Sequence, residues 1–481
     1  MQRRVIQRIL GILLALFSTT MLVPLIIGLI YGDGAVLPFL GAFALTLATG
    51  GLLFWPSRHE RSPLRLRDSF VVVVAFWAVL GAYGSLPFLF FRPLELGLAA
   101  AIFESMSGLT TTGATVITNL DVQPHAILFY RQQMQWLGGM GIIVLAIAIL
   151  PMLGIGGMAL YRAESPGPTK EKLTPRIAST AKALWFIYVG LTVCCAVAYY
   201  LAGMSAFDAI GHSFSTVAIG GFSTHDASIG HFNSRTIEMI AVVFMLVSGV
   251  NYALHFLALR TRSLSNYVRD AEFKTYIILI GALTGIAATY LAATGTNSAS
   301  DAFFDGLFHV VSIGTTTGFT TADYFYWPGF LPVLLLFASF AGGCAGSTGG
   351  GMKVIRVLLL FKQGYRELVR MLHPNAKLLV KVGHNTMTNQ HIDVVWGFFA
   401  AYVAILTVML LLLMATGLDQ ESAFSAVVAC LNNLGPGLGE VGSNYASLGD
   451  FSLVILSIAM LFGRLEIFTL LIIFTPAFWK K

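Results

Sequence analysis

Four short stretches of this chain set hydroxyl, amide or small residues beside glycine: Thr110-Thr111-Thr112-Gly113, Ala218-Ile219-Gly220-Gly221, Thr315-Thr316-Thr317-Gly318 and Asn432-Asn433-Leu434-Gly435. Glycine takes up backbone angles that a Cβ forbids, so a chain turning there can aim its carbonyl oxygens to one side. Rings of such carbonyls, helped by threonine hydroxyls, replace the hydration shell of a cation without a fixed charge that would hold it. The chemistry offered is coordination and release of a monovalent cation, with no bond made or broken. Acidic residues follow at short intervals: Asp121 eight residues after Gly113, and Asp226, Asp323 and Glu440 each five after their glycine. One such charge alone would be a solvated loop residue, but the shared placement suggests an outer mouth that concentrates cations. Phe222 and Phe319 stand where they can pack behind the turns.

Each stretch ends an apolar segment of about 12 residues, with Phe103, Phe207 or Phe214, Phe308 and Phe424 near its start. A helix of that length covers roughly 18 Å, about half the hydrocarbon thickness of a bilayer, so it must enter and turn back. Gly113, Gly221, Gly318 and Gly435 lie 108, 97 and 117 residues apart, which implies duplicated units rather than a solenoid of short repeats. A single Thr-Thr-Gly reads as a tight turn between helices. Four in register mean more, because non-helical backbone at membrane depth survives only where protein buries it or where it lines a water-filled cavity. Four helix C-termini aimed at one axis, each worth about −0.5 charge, favour a cation. The set as a whole suits potassium.

Composition supplies the membrane. Of 481 residues 56% are hydrophobic and only 11% charged, against roughly 25% charged in a soluble domain. Apolar runs occupy about 8 to 30, 36 to 55, 69 to 91, 126 to 151, 182 to 203, 236 to 259, 275 to 294, 393 to 416 and 450 to 475, with a tenth from about 328 to 361 broken in its middle. The first follows Arg3 and Arg4 but is too long for a signal peptide, so it is expected to be retained. Net charge is +6, yet the basic residues fall in alternate loops rather than on a nucleic-acid face. They gather at Arg3 to Arg8, Arg58 to Arg67, Arg162 to Lys182, Arg260 to Lys274, Lys353 to Lys381 and Lys480-Lys481, which predicts those loops and both termini in the cytoplasm and ten crossings. Cys194, Cys195, Cys344 and Cys430 have neither the spacing of a disulfide framework nor that of a metal site.

The broken run contains Gly342, Gly343, Gly346, Gly349, Gly350 and Gly351 between residues 341 and 351. Each glycine costs a helix about 1 kcal/mol relative to alanine, so this stretch should unwind in mid-membrane. A helix-packing surface is the competing reading. A flexible loop just under the turns is preferred. In the last run Arg464 lies within apolar sequence, where an arginine costs about 2.5 to 3.5 kcal/mol unless it faces the protein interior or a pore. Glu466, two residues on, points elsewhere on a helix and is not its obvious partner. An enzyme is disfavoured: His212, His225, His231, His255 and His309 are scattered, no His-Glu-x-x-His occurs, and residues 346 to 353 only echo a phosphate loop, with the lysine misplaced and no strand before it. An ion-coupled symporter working by alternating access is the nearer alternative.

These motifs, from Ser107 to Thr115, Ile219 to Thr224, Thr315 to Thr320 and Asn432 to Gly437, resemble those of the TrkH/TrkG group of bacterial potassium uptake proteins, in the superfamily that includes KtrB and the fungal Trk transporters. The resemblance covers essentially the whole chain. It implies an all-α integral membrane protein with four helix–re-entrant pore helix–helix repeats in pseudo-fourfold arrangement around one pore, plus two extra N-terminal transmembrane helices. It implies that residues 110 to 113, 218 to 221, 315 to 318 and 432 to 435 form a selectivity filter for potassium. The glycine-rich loop and Arg464 would limit flux as a gate. No organic cofactor is expected. A homodimer in the bacterial inner membrane, with one pore per subunit and a ring of cytosolic nucleotide-binding TrkA subunits, is implied as well. The corresponding segments are residues 1–67, the two extra helices, then four pore repeats at 68–181, 182–270, 271–375 and 376–481.

Overall fold

A computed structural model describes residues 1–60, 62, 64–144, 177–296, 298–376, 378–383 and 385–480. Helices carry the architecture: α1 (Arg3–Thr20), α2 (Leu22–Tyr31), α3 (Val36–Phe54), α4 (Leu66–Gly84), α5 (Leu98–Leu109), α6 (His125–Val144), α7 (Ile177–Leu201), α8 (Ala206–Ala218) and α9 (Arg235–Ser248) come first. They are followed by α10 (Tyr252–Thr261), α11 (Ala271–Ala293), α12 (Ala299–Gly314), α13 (Leu331–Ala341), α14 (Val354–Leu372), α15 (Asn389–Met414), α16 (Gln420–Leu431), α17 (Asp450–Arg464) and α18 (Phe468–Phe474). Among the described residues the one strand pairing is a two-residue ladder in which Lys381 faces Thr386.

Among the described residues six helices are long and apolar enough to cross a membrane: Arg3–Tyr31, Val36–Ser57, Arg67–Phe90, Lys182–Leu201, Ala271–Ala293 and Asn389–Met414. The run expected at 126 to 151 is helical as α6, and its remainder, with the loop from Arg162, lies outside the described residues. The broken run resolves into α13 and α14, joined by a non-helical stretch that holds the glycines.

Two of the apolar runs, at about 236 to 259 and 450 to 475, are sharply bent. α9 and α10 meet at 91°, and α17 and α18 at 116°. At the first break Gly249 caps the helix, its amide bonding Met245 O at 2.9 Å, and Asn251 caps the next helix by accepting the Ala253 amide at 2.8 Å. At the second, Glu466 and Ile467 both take left-handed angles, φ 54° and 53°. Arg464 and Glu466 find separate interior partners there, which is how two charges are accommodated in one apolar run.

The short helices α5, α8, α12 and α16 stop in the interior, at Leu109, Ala218, Gly314 and Leu431. Three begin with a side-chain cap: Ser205 accepts the Asp208 amide at 3.0 Å, Ser298 the Asp301 amide at 3.2 Å, and Asp419 the Ser422 amide at 3.0 Å. The two serines also donate back to those aspartates, a reciprocal lock on the first turn. Each short helix packs against its flanking helices and against one from elsewhere: α8 on α6, α12 on α9, α16 on α13, and α5 on α17. At the N-terminus α1 lies on α3 through facing glycines. A Cβ at Gly11 would stand 2.8 Å from the Gly50 carbonyl oxygen, and one at Gly50 2.9 Å from the Ala15 amide. Small residues let backbones approach this closely where lipid supplies no hydrophobic drive.

Candidate functional site

The four short helices end in the same way. The amide of the third residue of each turn reaches back five residues: Thr112 to Ser107 O at 2.9 Å, Gly220 to Ser215 O at 2.9 Å, Thr317 to Ser312 O at 2.7 Å and Leu434 to Ala429 O at 2.8 Å. The amide of the second residue reaches back three, from Thr111, Ile219, Thr316 and Asn433. This is a Schellman ending, whose left-handed residue is usually glycine. Here it is Thr111 (φ 52°), Ile219 (φ 54°), Thr316 (φ 71°) and Asn433 (φ 53°). A left-handed residue with a Cβ costs roughly 1 to 2 kcal/mol, so the surroundings must hold each one in place. Two residues later Gly113, Gly221, Gly318 and Gly435 are left-handed too, φ 84°, 78°, 86° and 100°.

The glycines also mark where the turns meet. A Cβ on Gly113 would overlap the Gly220 carbonyl oxygen, one on Gly221 the Thr317 oxygen, and one on Gly318 the Leu434 oxygen. One on Gly435 would stand 2.7 Å from the Thr112 oxygen. The approaches therefore run from the first turn to the second, third and fourth, and back to the first. Thr110, Thr111, Thr112, Ala218, Ile219, Thr315, Thr316, Thr317, Asn432, Asn433 and Leu434 are all buried. Asn433 spans two of the turns by donating to Thr112 Oγ1 at 3.0 Å.

Several residues that secure this backbone escaped the sequence reading. Gln135 on α6 donates to the Gly220 carbonyl at 2.6 Å and accepts the Phe222 amide at 3.1 Å. Arg131, one helical turn away, is fully buried, pairs with Glu104 at 2.7 Å, donates to Ser223 O and Thr115 Oγ1, and lies 4.1 Å over the Phe222 ring. Glu104, His212 and His309 share one register, nine residues before Gly113, Gly221 and Gly318. All three reach the chain leaving their turn: Glu104 accepts the Val116 amide at 2.9 Å, His212 bonds Ser223 Oγ at 2.9 Å, and His309 bonds Ala322 O at 3.2 Å. In the fourth unit Ser425 does this by accepting the Leu438 amide at 2.8 Å. That register was the available signal. The phenylalanines mislead, since only Phe103 and Phe308 hold equivalent positions, ten before their glycines, with both rings fully buried.

The glycine-rich stretch lies against the inner ends of the turns. The Gly350 amide donates to Thr316 Oγ1 at 2.7 Å, the Gly351 amide to Asn432 O at 3.0 Å, and Thr348 Oγ1 to Val217 O at 3.0 Å. Arg464 completes the contact, donating to Thr348 O at 3.3 Å and to Thr111 Oγ1 at 2.9 Å. No carboxylate of the described residues lies within ion-pair distance of Arg464, so a distant acidic partner is not found, and Glu466 instead pairs with Arg356 at 2.9 Å. Gly342, Gly346 and Gly351 take left-handed angles, while at Gly343, Gly349 and Gly350 it is closeness to neighbouring backbone or side chains that excludes a larger residue. Behind the stretch, Glu272 accepts the Ala345 amide at 2.7 Å and the Ile355 amide at 3.2 Å, bracketing its two ends. Lys353 Nζ bonds the Gly349 carbonyl.

Of the four acidic residues after the turns, Asp121 and Asp226 come together. Asp226 accepts the Leu120 amide at 2.8 Å, and Asp121 meets His225 Nδ1 at 2.5 Å. The His225 bond holds the Asp121 carboxyl below its ordinary range. Burial works against a charged His225, but the nearby Asp208 carboxylate and the bond to Asp121 outweigh it and raise the imidazole above its ordinary value. Asp323 and Glu440 are exposed, and no hydrogen bond or ion pair of the described residues joins them to the other two.

Fold and turns together define a helical multi-span membrane protein with four short helices that end in its interior. Residues 38–481 match the TrkH family, described as cation transport protein. A potassium uptake protein of the Trk system, TrkH of Salmonella typhimurium, is 56% identical with each chain fully covered, and TrkG of Escherichia coli K12 is 39% identical over 99% of each. The crystal structure of the potassium transporter TrkH from Vibrio parahaemolyticus superposes with a TM-score of 0.93 at 55% identity, again covering both chains in full. The chain belongs to the TrkH family.

Proposed function

We propose that this chain takes up potassium across the bacterial inner membrane through one pore, ringed by residues 110–113, 218–221, 315–318 and 432–435. The closed order of approaches among the four turns carries this reading. Four re-entrant units in pseudo-fourfold arrangement would produce such a circuit, with repeats at 68–181, 182–270, 271–375 and 376–481 behind two extra N-terminal helices. Backbone carbonyls of the turns, with threonine hydroxyls at their inner ends, take over the ion's hydration shell. Not all are equally free, since Gln135 engages the Gly220 carbonyl and Tyr445 the Gly435 carbonyl. Asp121, Asp226, Asp323 and Glu440 supply the negative outer mouth.

In this reading the stretch from Gly342 to Gly351 closes the pore from the inside, and Arg464 stands in the ion path as a fixed positive charge. Withdrawal of the stretch opens the way. Both termini lie in the cytoplasm, where the homodimer meets TrkA-like nucleotide-binding subunits that bias the closed and open states. The likeness to potassium uptake proteins of the Trk system supports the substrate and a regulatory subunit.

The test is uptake by purified protein in liposomes under gradients of potassium, rubidium or sodium, with Gly113→Ser, Gly221→Ser, Gly318→Ser and Gly435→Ser. Potassium and rubidium should pass well ahead of sodium, and each change should erode that preference. Selectivity untouched by all four changes would overturn the filter assignment and favour alternating access.

A further inference from the structure

We propose that Asp121, His225 and His231 form a binding site for a divalent transition metal, zinc in the first instance, between the loops that follow the first and second turns. One donor atom from each lies within 4.8 Å of the other two. Asp121 Oδ1 is 2.5 Å from His225 Nδ1 and 3.9 Å from His231 Nδ1, so both imidazoles offer the same ring nitrogen to one carboxylate. Two imidazole nitrogens and one oxygen suit zinc and its neighbours in the first transition row, whereas calcium and magnesium prefer oxygen alone.

The backing of His225 strengthens the assignment. Its other nitrogen, Nε2, has no hydrogen-bond partner among the described residues and stands 3.6 Å from Asp208 Oδ1, so the turn of the ring that metal binding requires can bring the two into hydrogen-bond range. A carboxylate behind a ligating histidine fixes the ring and its tautomer and raises the basicity of the nitrogen that meets the metal. Asp208 is itself held, by Ser205 Oγ at 2.7 Å and Thr224 Oγ1 at 2.7 Å. The three donors come from two different loops, and His225 and His231 are brought face to face at 3.5 Å with rings 2° from parallel. For both nitrogens to converge on an ion about 2.0 to 2.2 Å away, the rings must turn out of that stack. Room exists, because His231 is 44% exposed and Asp121 47%. Water completes the coordination.

This site does not depend on the pore reading, and a binding measurement tests it without transport. The full-length protein in detergent, in chelator-free buffer, is titrated with zinc sulfate by calorimetry and with cobalt(II) by visible absorption. One zinc per chain should bind in the micromolar range or tighter, and cobalt should give the intense visible band of a tetrahedral site. His231→Ala removes a ligand, so zinc binding should weaken by at least the roughly 10- to 100-fold that loss of an outer-shell partner alone costs, and the cobalt band should disappear while the metal-free protein melts as before. Should that variant fail to fold, His231→Gln serves in its place. Wild-type protein that takes up no zinc at micromolar concentrations, or a His231 variant that binds it equally well, would overturn the proposal.

Discussion

Replacing Gly350 with alanine should open the pore from within. The added Cβ would overlap the Asn432 carbonyl oxygen and crowd the Asn433 side chain, so the loop cannot stay seated against the fourth turn. Gly350 is not among the left-handed residues, so its own backbone accepts alanine and the cost falls on the contact. Withdrawal breaks the bond from the Gly350 amide to Thr316 Oγ1 at 2.7 Å and that from Gly351 to Asn432 O at 3.0 Å. A buried hydrogen bond contributes about 1 kcal/mol net, so the seated state loses about 2 kcal/mol. At 1.4 kcal/mol per factor of ten, the ratio of seated to withdrawn loop falls roughly thirtyfold. The assay is rubidium uptake into liposomes without regulatory subunits, where the wild-type loop should be mostly seated. Flux should rise several-fold up to that limit, with rubidium still favoured over sodium. Unchanged or reduced flux in a well-folded variant would refute the idea that this loop is the closure.

Other outcomes follow from the groups around the turns. Gln135→Leu strands the Phe222 amide and frees the Gly220 carbonyl, so the potassium over sodium ratio in liposome flux should fall, at a stability cost of about 1 to 3 kcal/mol; an unaltered ratio would count against a filter role for that carbonyl. Arg131→Met leaves the Glu104 carboxylate buried and unpaired, a loss of about 3 to 5 kcal/mol visible as a lower melting temperature in detergent, and adding Glu104→Gln should recover part of it. Zinc on the outer side should slow rubidium uptake by wild-type protein and not by the His231→Ala variant. Slowing that persists in the variant would place the zinc effect elsewhere.

What could be read from the sequence follows from what leaves a local trace. Hydropathy alone places most of the spans, because a helix in lipid needs an unbroken apolar run. Gly113, Gly221, Gly318 and Gly435 are legible since a left-handed backbone beside the carbonyl of a neighbouring turn leaves glycine as the residue that fits. Thr111, Ile219, Thr316 and Asn433 share that backbone but leave no such trace, because tertiary contacts rather than residue type hold them. The pairs of Gln135 with Gly220 and Arg131 with Glu104 are 85 and 27 residues apart in the chain, a distance over which no periodicity speaks. The bends after Ser248 and Arg464 were hidden because one polar residue in an otherwise apolar run does not announce a break: Asn251 turns the chain by capping the next helix, and Arg464 and Glu466 bond to Thr111 and Arg356 far away in the chain.

Anomalous scattering from rubidium-soaked crystals of this protein is the most direct measurement of the central claim. Rubidium density is expected on the axis enclosed by residues 110–113, 218–221, 315–318 and 432–435, absent when sodium replaces rubidium and displaced or weakened in the Gly318→Ser variant. Strong rubidium sites found only away from that ring, with none on its axis, would contradict it.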